Sequence, residues 1–256
     1  MECPVCGSTH VVEVNGKYKC KACGKEFSAS NAKEEMSSAT SAYLKAMRLT
    51  SGAEKSKHND DELSPEEIYE IGIKGAALIE CHDLQCCGSG FLVRESGLVI
   101  TNCHVIQNEK TGKCSEDLYV TINGVTCPAH VVAYGDQNGS DVALLQLAKK
   151  DMKQRSLATG NSDNVKIGTR VYAIGNSLGQ GLCITSGIIS DKDREVFGER
   201  CFMSDVSINS GNSGGPLLNA KGEVIAICVA GISAAKGMNY FIPINDVLHL
   251  LKNYLK

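Results

Sequence analysis

From residue 76 onward the chain consists of short apolar runs separated by glycine, asparagine and aspartate. These runs are too short for ordinary helices, and their length of about four to eight residues is typical of buried or half-buried strands. No helix-length periodic pattern separates them, as parallel βαβ units would require. The pattern therefore predicts an all-β fold, either a barrel or a sandwich. The runs are residues 90–93, 98–101, 118–122, 142–145, 170–174, 187–190 and 224–229.

Two segments show the 3.6-residue period of a helix. Ser64-Pro65-Glu66-Glu67 has a serine for an N-cap, a proline at the first helical position and a glutamate at the third, the signature of a capping box. A helix of about three turns should follow, and it should bury Ile68, Ile71 and Ile73. The tail, residues 244–256, predicts a second helix. Its apolar face consists of Val247, Leu248, Leu251, Tyr254 and Leu255.

The N-terminal residues have a different pattern, in which two Cys-x2-Cys pairs are separated by thirteen residues. Four thiolates in two such pairs fit tetrahedral zinc. Residues 11–20 between them read as a hairpin with an Asn15-Gly16 turn, and the whole resembles a zinc ribbon. So short a segment would depend on the metal for its folding energy. The predicted ligands are Cys3, Cys6, Cys20 and Cys23.

These patterns divide the chain into three parts. Residues 1–27 form the zinc ribbon, residues 28–63 form a polar linker with a short helix at 31–49, and residues 64–256 form the large β-rich domain. The ribbon is either a structural module or a docking site for a protein partner. Its lysines, which include Lys17, Lys19 and Lys21, also allow a nucleic-acid module, although a few lysines more often form a solvated face.

Composition limits the cellular locations and binding partners that the sequence predicts. The 256 residues are 43% hydrophobic and 21% charged, with a net charge of −3, so nothing favours nucleic acid or an anionic membrane. No run of about 18 apolar residues predicts a membrane span. The first residues lack the pattern of a secretory signal. The 13 cysteines are therefore interpreted as reduced thiols plus a metal site, in a cytoplasmic protein.

Three residues carry candidate chemistry. Ser213 lies within residues 209–218, a glycine-rich turn between two apolar runs; His104 ends an apolar strand, and Asp141 begins another. A serine hydroxyl is a weak nucleophile and needs a base that a third group orients. A lone histidine or aspartate at such a place is usually structural. The order His, Asp, Ser is nevertheless that of the chymotrypsin-type proteases.

Six segments in this order resemble the HtrA/Deg serine proteases, and the similarity runs from about Leu63 to the C-terminus. The resemblance implies a trypsin-like fold of two antiparallel β-barrels with the catalytic site between them. The segments are Gly88-Ser89-Gly90-Phe91, Thr101-Asn102-Cys103-His104-Val105, Ser140-Asp141-Val142-Ala143-Leu144-Leu145, Ala173-Ile174-Gly175-Asn176, Thr185-Ser186-Gly187-Ile188 and residues 208–217.

The resemblance implies a role for each residue of the constellation. His104 is the general base, Asp141 orients it and Ser213 is the nucleophile, while the backbone N–H groups of Gly211 and Ser213 form the oxyanion hole. The family commonly forms homotrimers and commonly carries a C-terminal PDZ domain, which this sequence is expected to lack. No cofactor is expected for catalysis.

Substrate preference is predicted from the position six residues before the serine, where trypsin has an aspartate. Ser207 occupies it here, which disfavours a basic P1 residue, although Asp205 is close enough in sequence to reach the pocket. By resemblance an apolar S1 pocket would take a small or medium aliphatic residue. Its walls would come from Ile208, Ile227, Cys228 and Val229.

The sequence thus predicts a serine endopeptidase that acts on peptides or unfolded proteins, in protein quality control. The alternative is a non-catalytic chaperone or adaptor that binds through the zinc ribbon and the barrels. The remaining cysteines are expected to be core thiols; Cys81, Cys86 and Cys87 are interpreted as buried thiols or a redox-sensitive pair, because they lack paired metal-ligand spacing.

Overall fold

The computed structural model divides the chain into two compact units, Met1–Asp60 and Asp61–Lys256. The helix predicted at 31–49, most of the predicted linker, and the predicted ligands Cys6 and Cys23 lie outside the described residues. The structure describes residues 3, 11–14, 16–21, 24, 26–28, 62–108, 110–135, 140–148, 154–196, 198–231 and 237–255.

The first unit contains a small antiparallel sheet of β1 (Val11–Val14), β2 (Lys17–Cys20) and β3 (Glu26–Phe27). The hairpin predicted between the cysteine pairs is confirmed, since Val14 pairs with Lys17 across the turn. Gly16 adopts a φ of +75°, as a tight two-residue turn requires. Cys3 and Cys20 are both buried in one small cluster.

The second unit begins with α1 (Pro65–Gly72), whose capping box is present as predicted. The Ser64 hydroxyl accepts from Glu67 N–H at 3.2 Å, and the Glu67 carboxylate accepts from Ser64 N–H at 2.8 Å. The helix has eight residues, about two turns rather than three. It is shorter because the chain must enter β4 at Ala76. Ile68 is fully buried, whereas Ile71 and Ile73 are only partly covered.

Six strands then close into the first barrel, in the order β4-β5-β6-β9-β8-β7. A short helix, α2 (Cys103–Ile106), follows β6. Inward-facing side chains such as Ile79, Val120 and Leu145 fill the barrel. The strands are β4 (Ala76–Cys81), β5 (Cys86–Arg94), β6 (Leu98–Thr101), β7 (Leu118–Ile122), β8 (Val125–Tyr134) and β9 (Ala143–Leu147).

The second barrel is closed in the order β10-β11-β12-β15-β14-β13, so the all-β, two-barrel prediction is confirmed. Short 3₁₀ turns occupy Ser162–Asn164 and Ser177–Gly179. The strands are β10 (Arg170–Asn176), β11 (Leu182–Val196), β12 (Glu199–Ser204), β13 (Pro216–Asn219), β14 (Val224–Gly231) and β15 (Asn239–Pro243).

The predicted C-terminal helix is shorter than its apolar pattern suggested. Helix α3 covers Ile244–Leu250, and turns follow to residue 254. Val247 and Leu251 are buried, but Tyr254 is 49% exposed, so its placement on the buried face was wrong. Leu255, beyond the end of the helix, also packs against the core, so the apolar contact continues into the turns.

One apolar cluster joins the two barrels. It contains Phe91 and Ile100 of the first barrel, Ile174 and Leu218 of the second, and Ile68 of α1. Burial of these side chains holds the barrels against each other, so loops from both meet at a common junction. Within the described residues, no helix has the length and apolarity needed to cross a membrane.

Candidate active site

His104 lies at the junction, in the short helix that follows β6. The strand residues Leu98–Thr101 are all buried, and the Thr101 hydroxyl donates to the Ser89 carbonyl at 2.7 Å. This packing sets the position of α2, and the His104 side chain remains one-third exposed. A partly exposed imidazole next to a rigid strand end is placed to exchange protons with a bound molecule.

Asp141 holds His104 at two points. Its Oδ2 lies 2.5 Å from His104 Nδ1, and its Oδ1 accepts from the His104 backbone N–H at 3.0 Å. The Asp141 carbonyl in turn accepts from the Asn102 side-chain amide at 2.6 Å. Asp141 is only 9% exposed, so its carboxylate is largely shielded from water. The structure therefore brings together two of the three predicted residues, 37 positions apart in the sequence.

Ser213 occupies the turn before β13 and contacts both barrels. Its carbonyl accepts from Ser89 N–H of the first barrel at 2.8 Å, and the next residue, Gly214, donates to the Cys228 carbonyl of the second. The Ser213 hydroxyl donates to the Val229 carbonyl at 3.1 Å. In the part of the chain that the structure describes, it makes no hydrogen bond with His104.

The turn around Ser213 leaves two amides unused. Among the described residues, neither Gly211 N–H nor Ser213 N–H donates to an acceptor, whereas the Gly211 carbonyl accepts from the Ser89 hydroxyl at 2.7 Å. Gly211 has a φ of +95°, and a Cβ there would collide with the Asn176 carbonyl. Only glycine is compatible with both constraints. Two unpaired amides beside a hydroxyl are suited to bind a negatively charged oxygen.

Three of the four residues predicted for an S1 pocket lie on β14, on both of its faces, and the fourth, Ile208, precedes the turn that carries Ser213. Side chains alternate along a strand, so Ile227 and Val229 pack with the cluster between the barrels, while Cys228 packs inside the second barrel with partly buried Ile208. Asp205 is engaged elsewhere, since its carboxylate accepts from Ile188 N–H at 2.7 Å.

Sequence reasoning assigned no role to two further contributors: Ser89, which lies in one of the six segments quoted for the resemblance, and Glu199. Ser89 is fully buried, and its hydroxyl also accepts from Asn176 N–H at 2.8 Å. The Glu199 carboxylate accepts from the Asp141 N–H at 3.3 Å. Burial, with the charge of Asp141 adding to it, raises the pKa of the Glu199 carboxyl. No sequence signal marks Glu199, because it lies 58 residues away on the other barrel.

Cys103 and Cys81 are buried thiols, whereas Cys86 is half-buried and Cys87 is exposed, so the prediction of a buried thiol is wrong for Cys87. Cys103 donates to the carbonyls of Gly135 and Val142, and burial raises the pKa of its thiol to about 12. Burial also raises the pKa of Cys81 and Cys86, both of which donate to the Val105 carbonyl. Within the described residues no group of side chains has the arrangement of a metal site.

Comparison with known proteins assigns the chain to a family. A family model described as the trypsin-like peptidase domain matches residues 88–227. The chain belongs to the trypsin-like peptidase family. Its relatives include proteins named as DegP-like or HtrA-type proteases. The match covers His104, Asp141 and Ser213 together with the strands that carry them.

Curated relatives and solved structures agree with this assignment. The trypsin-like chain is 38% identical over 155 residues to a DegP-like periplasmic serine endoprotease of Chlamydia pneumoniae, an alignment that covers 59% of this chain and 30% of that protein. It is 36% identical over 174 residues to the chloroplastic protease Do-like 1 of Arabidopsis thaliana, covering 64% and 38%. The chain thus spans well under half the length of these relatives.

Two solved protease structures also match this chain. The serine endoprotease from Yersinia pestis superimposes with a TM-score of 0.65 at 27% identity, over 75% of this chain and 67% of that one. The HtrA-type protease AlgW with a tripeptide gives a TM-score of 0.65 at 27% identity, over 76% and 64%.

The relatives also correct one prediction. The cytoplasmic location was wrong: relatives from Chlamydia, Pseudomonas and Halomonas are named periplasmic, which points to an extracytoplasmic location. The prediction depended on the first residues of the sequence.

Proposed function

We propose that this chain is a serine endopeptidase that hydrolyses peptides or unfolded proteins, with a role in protein quality control. The proposal depends chiefly on one observation: Asp141 binds both the imidazole and the backbone N–H of His104, at the same barrel junction where Ser213 lies beside two unpaired amides. The HtrA/DegP-type relatives, which are named serine endoproteases, support it.

In the proposed reaction, His104 is the general base and Asp141 orients it. The Ser213 hydroxyl first leaves the Val229 carbonyl, to which it is hydrogen-bonded in the structure, and turns toward His104 Nε2. Its oxygen attacks the peptide carbonyl carbon while its proton passes to Nε2. The imidazolium then protonates the leaving amine, and an acyl-enzyme forms. A water molecule repeats the sequence, giving the free acid and restoring Ser213.

The amides of Gly211 and Ser213 would form the oxyanion hole. They would donate to the oxygen that becomes negatively charged in the tetrahedral intermediate. Ser89 fixes this turn from the first barrel, through its hydrogen bonds to Gly211 and Ser213. Because these N–H donors are already oriented before the reaction, they do not have to reorganise when the oxygen becomes charged.

Turnover of unfolded casein tests the activity. We expect the intact protein to cleave casein, Ser213→Ala to lose nearly all turnover, and Ser96→Ala, at an exposed serine outside the site, to keep it. A fluorophosphonate probe followed by mass spectrometry should label Ser213. No cleavage and no labelling by the intact protein, with casein still bound, would instead support the chaperone or adaptor alternative.

The proposed P1 preference is for small or medium aliphatic residues. The apolar character of Cys228 and Ile208, which pack in one cluster, and of Ile227 and Val229, which pack in another, supports it. Asp205 is already bonded to the Ile188 amide, which leaves it poorly placed to bind a basic side chain. A fluorogenic peptide library should show Val, Ala, Leu or Ile favoured at P1; best cleavage after Arg or Lys would contradict this.

For the N-terminal part we propose a zinc ribbon at residues 1–27, followed by a linker at 28–63 and the peptidase domain at 64–256. Cys3, Cys6, Cys20 and Cys23 would bind the ion, and burial of Cys3 and Cys20 in one cluster supports this. Zinc would supply folding energy there. Elemental analysis should find one zinc per chain, and Cys20→Ser should release it; a chain purified without zinc would contradict the proposal.

The ribbon is proposed to dock a protein partner or substrate, and the peptidase domain to form a homotrimer. Deletion of residues 1–60 should alter substrate choice or assembly, while the second unit still folds because it has its own core. Light scattering on both chains measures the assembly. An unchanged substrate profile and mass after deletion would rule out the docking role, and a monomeric mass would rule out the trimer.

A further inference from the structure

The second barrel reaches the first through the tip of one long hairpin. Strand β11 is 15 residues long, and its last residue, Val196, pairs with Glu199 at the start of β12. Gly198 turns the chain there with a φ of +80°. The tip lies against the segment that enters β9, where the Glu199 carboxylate accepts from Asp141 N–H at 3.3 Å.

With this contact, each polar group of Asp141 has a partner. Its carboxylate binds His104, its carbonyl accepts from Asn102, and its N–H donates to Glu199. The partners His104 and Asn102 belong to the same barrel as Asp141. Glu199 therefore supplies the link by which the second barrel holds this residue in place.

The environment of Glu199 disfavours the charged form of its carboxyl group. Burial, together with the charges of Asp141 and Asp246, raises its pKa. The adjacent Arg200 does not neutralise it, because its guanidinium pairs with Asp246, Asp163 and Asp193. Among the described residues no cation pairs with Glu199. When it is ionised, the Glu199 carboxylate accepts a stronger hydrogen bond than a neutral acceptor would.

A second group of the same segment faces this carboxylate. The Ser140 hydroxyl is buried close to Glu199 and opposes part of the rise in the pKa of that carboxyl, although it lies outside hydrogen-bonding geometry. The hairpin tip thus contacts two consecutive residues, Ser140 and Asp141. Both precede β9, whose first residue, Ala143, pairs with Thr101 near His104.

We propose that Glu199 is a positioning residue, which fixes Asp141 so that its carboxylate keeps the His104 imidazole aligned. The kinetic consequences of this inference rest on the proposed function. Glu199 itself touches neither His104 nor Ser213 in the described structure. Its effect is therefore on the chemical step rather than on substrate binding.

The test compares Glu199→Ala, Glu199→Gln and Glu195→Ala, the last at an exposed glutamate on the same hairpin. With an aliphatic-P1 peptide, Glu199→Ala should lower kcat on the order of tenfold, the loss of one charge-assisted hydrogen bond, with KM unchanged. Glu199→Gln keeps an acceptor oxygen and should recover most of the rate. Glu195→Ala should match the unaltered chain.

A second readout does not require turnover. The proton between His104 Nδ1 and Asp141 should give a low-field NMR signal in the unaltered chain and in Glu199→Gln, and a weaker or broadened one in folded Glu199→Ala. Equal kcat and equal signals in all variants would overturn the positioning role. An inactive unaltered chain would instead refute the proposed function, while the NMR comparison still tests the role of Glu199.

Discussion

The Asp141 carboxylate has two roles that its surroundings make compatible. It accepts from the His104 backbone as well as from the ring, so the helix position and the ring orientation are set by the same group. Asparagine at this position keeps the shape but presents an N–H on one side. It would favour the wrong histidine tautomer, with the proton on the nitrogen that must accept.

We therefore expect Asp141→Asn to lower kcat by about 10⁴-fold with little change in KM. The free energy of unfolding, measured in urea, serves as the control and should change far less. A variant with normal kcat would show that the contact with His104 is purely structural.

Cys103 lies next to His104 yet should not react. Burial raises the pKa of its thiol to about 12, and it donates to backbone carbonyls. The thiolate is the reactive form, so iodoacetamide at neutral pH should modify exposed Cys87 and leave Cys103 unmodified. Peptide mapping by mass spectrometry measures this, and full protection of Cys103 should disappear in denaturant. Modification of Cys103 at the rate of Cys87 would contradict the inference.

At the scale of elements, the turn before β13 is shaped by backbone constraints. Gly211 and Gly214 both have positive φ, and a Cβ on Gly214 would collide with the Ser89 carbonyl and the Thr101 hydroxyl. These approaches come from the first barrel. The turn that carries Ser213 is thus built by two barrels, although the glycine pattern alone indicates only that an unusual turn exists.

Gly211→Ala should lower kcat by about 10²–10³-fold, because the added Cβ collides with the Asn176 carbonyl and turns the Gly211 amide away. Gly124→Ala is the matched control: its φ is +75° but nothing lies within 4 Å of the new Cβ. It should lose some stability and keep its kcat. Equal kcat values for the two variants would mean that the Gly211 amide has no catalytic role.

Helix α1 depends on its capping box. Ser64→Ala removes the acceptor for Glu67 N–H and should lower the free energy of unfolding by about 1 kcal/mol. Urea denaturation measures the change, and kcat should be unaffected because the capping hydrogen bonds join only Ser64 and Glu67, neither of which belongs to the proposed triad. Ser96→Ala, which removes no cap, should leave stability unchanged.

At the scale of the whole molecule, Glu199 makes stability depend on pH. Its pKa in the folded state is raised above the ordinary value of 4.5. As pH rises from 4.5 toward that higher value, the folded state still holds a proton that the unfolded state has released. The free energy of unfolding therefore falls through this window, relative to a chain without the group.

Glu199→Gln cannot titrate at this position. Relative to Glu199→Gln, the unaltered chain should have its greatest free energy of unfolding below pH 4.5. This difference should shrink as the pH rises from 4.5 through the higher pKa of the folded state. Urea denaturation of both chains at several pH values measures the difference. A difference that stays constant with pH would show that the folded and unfolded states share one pKa at Glu199.

Local sequence determined much of this protein. The length and spacing of the apolar runs indicated strands, Ser64 to Glu67 indicated a helix start, and the resemblance around His104, Asp141 and Ser213 implied two barrels. Each of these is a property of residues that are near neighbours along the chain, or of a short motif. Such patterns can be recognised in the sequence without knowing which residues pack against them.

Only the tertiary structure decided how long the helices are and what completes the site. Helices α1 and α3 end where strand pairing and the core allow, not where their apolar period ends. Ser89 and Glu199 reach Gly211 and Asp141 over 122 and 58 residues, from opposite barrels. Contacts across such separations depend on how two closed barrels pack, and no local pattern encodes that arrangement.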